Sequence, residues 1–156
     1  MNHKTQSSAK KRLARLAAVQ ALYQLALLPR PVELVISEFR THPPASLLQE
    51  SDGETGMEEF DDELFGAIVG GAAANFVELD GMIDEAFDAK PAAERLEVLL
   101  RVILRAGVYE LHHQAATPVG VIINDYVDVT HAFFGAKEPG LINGILDKLA
   151  KKLRAG

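Results

Sequence analysis

The sequence predicts an all-α fold. Apolar residues recur at three- and four-residue steps in segment after segment, and prolines or Gly-containing turns stand where those segments stop. The final stretch, Leu141 to Leu153, reads as one amphipathic helix with its cations off the apolar face. A chain of 156 residues, 48% of them hydrophobic, can bury one continuous core, so a single folded domain is expected.

Residues 1 to 7 are polar and offer no apolar surface to offset the entropy of ordering, so they are expected as a flexible basic tail carrying Lys4. Ser7 or Ser8 can cap a first helix running to about Leu28, with Leu13, Leu16, Ala17, Gln20, Tyr23 and Leu27 on one stripe, and Pro29 ends it. Pro31 suits the first turn of a second helix through about Phe39, which His42-Pro43-Pro44 breaks. Ala45 to about Met57, rich in Ser, Asp, Glu and Gly, reads as an acidic loop. From about Glu58 to Leu79 a third stripe contains Phe60, Leu64, Phe65, Ile68, Val69, Ala72 and Phe76. Gly66, Gly70 and Gly71 there lower intrinsic helicity, so packing must hold the segment.

Asp80-Gly81 marks a turn, a short helix to about Phe87 follows, and Pro91 opens a long helix dominated by Leu96, Leu99, Leu100, Ile103, Leu104, Val108 and Leu111. Arg95, Arg101 and Arg105 fit its wetter side. Pro118 to Phe134 suits either of two periods: Val121, Ile123, Val127 and Val129 alternate like a strand, whereas Val119, Ile122, Ile123, Tyr126, Thr130 and Phe133 fit a helix. In the last helix Leu141, Ile142, Ile145, Leu146, Leu149 and Leu153 form one face, with Asp147, Lys148, Lys151, Lys152 and Arg154 away from it. The expected organisation is therefore the tail 1–7, an N-terminal helical half 8–88 and a C-terminal helical half 91–156.

Without cysteine the chain can form no disulfide, thiolate metal site or thiol nucleophile, which fits a reducing compartment, the cytoplasm by default. The basic start before an apolar run superficially resembles a secretory leader, but Arg15, Gln20 and Gln24 interrupt it and no small-x-small cleavage site follows. No stretch of about 18 uninterrupted apolar residues is available to span a membrane.

The net charge of −6 conceals a segregation along the chain. Up to Val32 there are six bases (Lys4, Lys10, Lys11, Arg12, Arg15 and Arg30) and no acids, while Glu50 to Glu63 holds eight acids and no bases. A polyanion would be attracted to one region and repelled by another. Lys10, Lys11, Arg12 and Arg15 can follow phosphates, and Tyr23, two to three turns further on, can offer a stacking surface to an unpaired base. The competing reading is a solubilising helix start with Tyr23 in the core.

Glu110-x-x-His113 and Asp128-x-x-His131 echo the carboxylate-x-x-His spacing of di-metal helical bundles. Such a site needs two more core-facing carboxylates, and Glu78 and Asp80 fall at the end of the third stripe, so no metal ligand is assigned. Serines occur only at positions 7, 8, 37, 46 and 51, none in a nucleophile-elbow setting. No catalytic residue and no cofactor are expected. A protein-only adaptor, or a homodimer, remains an alternative, with the acidic loop as a docking element.

Five motifs occur in a fixed order: Ala18-Val19-Gln20-Ala21-Leu22-Tyr23; Ile103-Leu104-Arg105 with Tyr109-Glu110-Leu111; Pro118 with Ile123-Asn124-Asp125; Phe134-Gly135-Ala136; and Asn143-Gly144-Ile145-Leu146-Asp147. In this the chain resembles NusB proteins, densely from Leu99 to Leu149 and in the first helix. The resemblance implies two small packed helical bundles of about seven helices, with the Pro118 segment helical. It also implies an RNA-binding transcription antitermination factor that binds boxA, a single-stranded element of ribosomal RNA transcripts, together with NusE, a small-subunit ribosomal protein, in the RNA polymerase antitermination complex. By position, Lys10, Lys11, Arg12 and Arg15 match the family's arginine-rich RNA-binding motif and Tyr23 its functional tyrosine. Phe133, Phe134 and Glu138 fall in the loop bordering the RNA, and Asn143 in a motif usually written Phe-Val-Asn-Gly. Here Leu141-Ile142 precedes Asn143, Asp125 replaces a glutamate, His131 a lysine, and Leu100 a position that is often acidic. Four neutralised phosphates would give log K a slope of roughly −3 against log salt.

Overall fold

The structure, a computed structural model, describes residues 3–44, 60–88 and 95–154, the first four of these as backbone only. Among the described residues there are seven α-helices and no strand: α1 (His3–Leu27), α2 (Val32–Thr41), α3 (Asp62–Ala74), α4 (Phe76–Ala86), α5 (Val98–His113), α6 (Val119–Phe133) and α7 (Lys137–Leu153). None is long and apolar enough to cross a membrane. The acidic loop expected at 45–57 and the helix start expected at Pro91 lie outside the described residues.

The chain divides into two compact units, Met1–Ala73 and Ala74–Gly156. The border falls beside Asn75, where the expected continuous third helix is broken into α3 and α4. Asn75 has left helical geometry (φ −120°, ψ 20°), and its carbonyl accepts the first bond of α4 from Leu79 N–H at 3.0 Å. Asp80-Gly81, expected as a turn, lies inside α4 instead. The reason is tertiary: Arg105 on α5 grips the Asp80 carboxylate with two nitrogens, Nε to Oδ1 at 2.7 Å and Nη2 to Oδ2 at 2.8 Å. Arg101 donates to Asp84 at 2.9 Å. Charges assigned to a wet face thus tie α4 to α5 and draw α4 into the second unit, not the N-terminal half to 88.

In the first unit α1 begins at His3, so the expected tail is largely helix. Adding a residue to an existing helix costs far less than nucleating one, so Ser7 and Ser8 continue the helix rather than cap it. From Leu13 to Val19 every side chain is buried, wider than the expected stripe, while Leu27 is exposed. Pro31 precedes α2 with φ −57°, ψ 129°, and α2 packs on α1. Phe39 of α2 stacks on Phe65 of α3 with centroids 5.6 Å apart, and Phe60 tilts against Phe65 at 5.2 Å. An Arg40–Asp62 ion pair joins the same two helices. Arg30, counted among the cations open to a polyanion, is committed to Glu38 through both terminal guanidinium nitrogens, which holds that carboxyl below its ordinary range.

In the second unit α5 is central, packing on α4, α6 and α7. The Pro118 segment is the helix α6, with Ile122, Ile123, Tyr126, Val129 and Thr130 buried and Val121 turned outward. A strand would have placed Val121 with Ile123 and Val129, so burial resolves what periodicity left open. Gly107 permits a close crossing: a Cβ there would lie 2.9 Å from Leu146 Cδ2 of α7. Arg154, past the end of α7, donates to the carbonyls of Leu111 (2.8 Å), Thr117 (2.9 Å), Gln114 (3.0 Å) and Glu110 (3.3 Å). These include C-terminal carbonyls of α5 that have no partner within the helix.

Candidate nucleic-acid interface

The basic tract occupies the third turn of α1. Lys10, Lys11 and Arg12 are all exposed, and no acid stands in the helix's first turn. Successive residues point about 100° apart around a helix, so three adjacent cations fan over a broad face. That arrangement suits contact with a run of phosphates better than chelation of one.

Arg15 does not belong to that surface. It is 1% exposed, the largest fully buried side chain, and is engaged in an interaction of its own. It lies only about 60° around the helix from Arg12, but from Leu13 to Val19 α1 is buried on every side. Tyr23 is half-buried, eleven residues beyond Arg12, or about 16 Å along the axis at 1.5 Å per residue. The tract and the tyrosine are therefore separate features of one helix. Lys4 lies on α1, but its side chain is outside the described residues.

The tract is fixed to the first unit by its backbone. Asp61 N–H donates to the Lys10 carbonyl at 3.0 Å, while the Asp61 carboxylate accepts from Leu64 N–H at 3.0 Å, capping α3. Asp61 thus joins the basic helix to the start of α3, a role hidden in the sequence by its place in an acidic run. Asp61→Ala should cost about 1 kcal/mol, read as a lower midpoint in urea unfolding, because only the cap is lost.

The remaining predicted site residues cluster on the second unit at the α6–α7 junction. Phe133 ends α6 at 38% exposure, and Phe134 follows in extended backbone, half-buried, with its N–H on the Thr130 carbonyl at 2.9 Å. Glu138 is half-buried in the first turn of α7, and Asn143 is exposed one turn further on. Leu141, expected on the buried face, is 37% exposed and sets an apolar surface beside them. Phe133 thus offers a partly exposed ring, Leu141 a partly exposed apolar side chain and Asn143 an amide with both donor and acceptor capacity, groups of the kinds that can read unpaired bases. Leu100 is buried and His131 exposed.

The carboxylate-x-x-His pairs do not build a di-metal centre. Glu110 is buried with its Oε2 accepting a 2.6 Å bond from the Tyr126 hydroxyl, whereas His113, Asp128 and His131 are exposed.

Residues 12–151 match the NusB family. The chain is 41% identical over 141 residues to the transcription antitermination protein NusB of Allorhizobium ampelinum, covering 90% of this chain and 86% of that protein. Its fold is similar to T. maritima NusB, with a TM-score of 0.65, 25% identity and 90% of each chain covered. It is also similar to a chain in the crystal structure of the antitermination factors NusB and NusE in complex with dsRNA, with a TM-score of 0.69 and 23% identity over 90% of this chain and 96% of that one.

Proposed function

The chain belongs to the NusB family, and from that premise we propose that it is a non-catalytic RNA-binding factor of transcription antitermination. It takes boxA-type single-stranded RNA of ribosomal RNA transcripts together with NusE and acts in the cytoplasm within the RNA polymerase antitermination complex. The observation that carries this reading is the row Lys10-Lys11-Arg12, exposed on a helix whose sequence holds no acid. Those cations supply affinity by releasing counterions from the phosphates, and carry no sequence information. Base reading falls to Phe133, Phe134, Glu138 and Asn143 on the second unit and to Tyr23 on α1. The flanking Leu141 gives an apolar contact without a stacking ring, so that position discriminates bases weakly.

The test is a titration of labelled boxA-like RNA against a scrambled control, with and without NusE. Tighter binding to boxA, enhanced by NusE, is expected. Equal affinity for both RNAs in the presence of NusE would overturn the reading, and would leave a sequence-indifferent polyanion binder.

A further inference from the structure

Three donor side chains converge on the second unit. Glu78 of α4 and the adjacent His112 and His113 in the last turn of α5 each place one ligand atom within 4.8 Å of the other two. Adjacent residues on a helix normally diverge by about 100°, so neighbouring histidines do not ordinarily present both rings to one point. Here each ring is drawn by a different partner. Tyr109, one turn back, stacks on His113 with centroids 4.9 Å apart and planes 26° from parallel. Glu78 draws His112, whose Nε2 lies 3.3 Å from Glu78 Oε1. The two imidazoles then meet edge to face at 4.5 Å.

Two imidazoles and a carboxylate are a donor set for borderline divalent ions such as zinc, nickel and copper, and a poor one for magnesium, which demands oxygen donors. Zinc holds His nitrogen at about 2.0–2.1 Å and carboxylate oxygen at about 2.0–2.2 Å, so two donors on a tetrahedral ion stand about 3.4 Å apart. The His112–Glu78 separation of 3.3 Å already matches that spacing. His113 is exposed, with its ligand atom within 4.8 Å of the other two, so a small side-chain rotation would complete the set. The C-terminal end of α5 favours a cation through its dipole. Arg154 already occupies the carbonyls of Glu110 and Gln114 there, so an ion must be held by side chains rather than backbone.

We propose that Glu78, His112 and His113 form a surface site for one borderline divalent transition-metal ion, which pins the end of α5 to α4. The site uses none of the residues assigned to RNA and stands independently of that assignment.

Zinc is the probe. Tag-free, chelator-treated full-length protein is titrated with zinc chloride by calorimetry, and cobalt(II) uptake is followed by visible absorption. One zinc per chain is expected, no response to millimolar magnesium, and the intense absorption of tetrahedral cobalt. Glu78→Gln, His112→Ala and His113→Ala should each weaken zinc binding at least tenfold. His42→Ala and His131→Ala, at exposed histidines elsewhere, should leave it unchanged. Circular dichroism checks that the variants fold; at exposed positions they should, and His113→Asn serves if His113→Ala does not. Absence of saturable uptake, half an ion per chain, or uptake that persists in the His112→Ala/His113→Ala double variant overturns the site.

Discussion

Replacing Lys10, Lys11 and Arg12 together by alanine is expected to remove most of the affinity for boxA-like RNA and nearly all of its dependence on salt. The magnitude follows from counting the exposed cations of the tract. Each phosphate neutralised on a single strand contributes about −0.7 to the slope of log K against log salt, so three give roughly −2. The four cations legible in the sequence gave roughly −3, but Arg15 is buried and leaves the count. Wild-type affinity should then fall about 20-fold between 50 and 200 mM salt, while the triple variant should be almost flat over that range. Arg15→Ala separates the two roles. It should leave the slope intact and cost about 2–5 kcal/mol of stability, because a large, fully buried side chain is removed from a packed site. Fluorescence anisotropy across a salt series, with denaturant melts of each variant, measures both. A triple variant with unchanged affinity and slope would mean that the RNA meets another surface.

The helices were legible because apolar spacing survives in a single sequence, and the exposed row Lys10 to Arg12 because charge segregation does too. What was not legible depended on partners distant in sequence. Arg15 carries the same charge as Arg12, and only the packing of α1 decides which of them reaches water. Asp80-Gly81 has the composition of a turn, but Arg105, 25 residues away, makes it helix. Asn75 ends α3 although nothing in a run of small apolar residues announces a stop there. Leu141 fits the apolar stripe of α7 and yet lies outside the buried set, since a stripe about 100° wide does not say where coverage by neighbouring helices ends. The histidine pair at 112–113 is silent in the sequence because a spacing of one is not a ligand spacing on a straight helix. Tyr109 and Glu78 create the convergence.

Glu110 provides the largest expected loss of stability. Its spacing from His113 echoes a di-metal motif to which no ligand is assigned; the carboxylate is wholly buried, and Tyr126 of α6 donates its hydroxyl to it at 2.6 Å. Thr130, one turn on, donates to the Tyr126 carbonyl at 2.7 Å. A carboxylate in the interior is tolerated only where hydrogen bonds replace its water, so the pair is costly to break from either side. Glu110→Ala leaves the Tyr126 hydroxyl without this acceptor and opens a cavity, and should cost about 3–5 kcal/mol. Tyr126→Phe removes one donor at nearly constant volume and should cost about 1.5–3 kcal/mol. At about 2–4 °C per kcal/mol for a chain of this size, Glu110→Ala should lower Tm by about 10 °C. The double variant Glu110→Ala/Tyr126→Phe should lose less than the two single costs together by at least about 1 kcal/mol, because neither polar group is then left without the other. Strictly additive losses in that cycle would show that the bond does not couple the helices. The coupling, if measured, makes Tyr109-Glu110-Leu111 a structural motif: a buried acceptor that fixes α6 against α5 and so holds Phe133 and Phe134 at the end of a rigid helix.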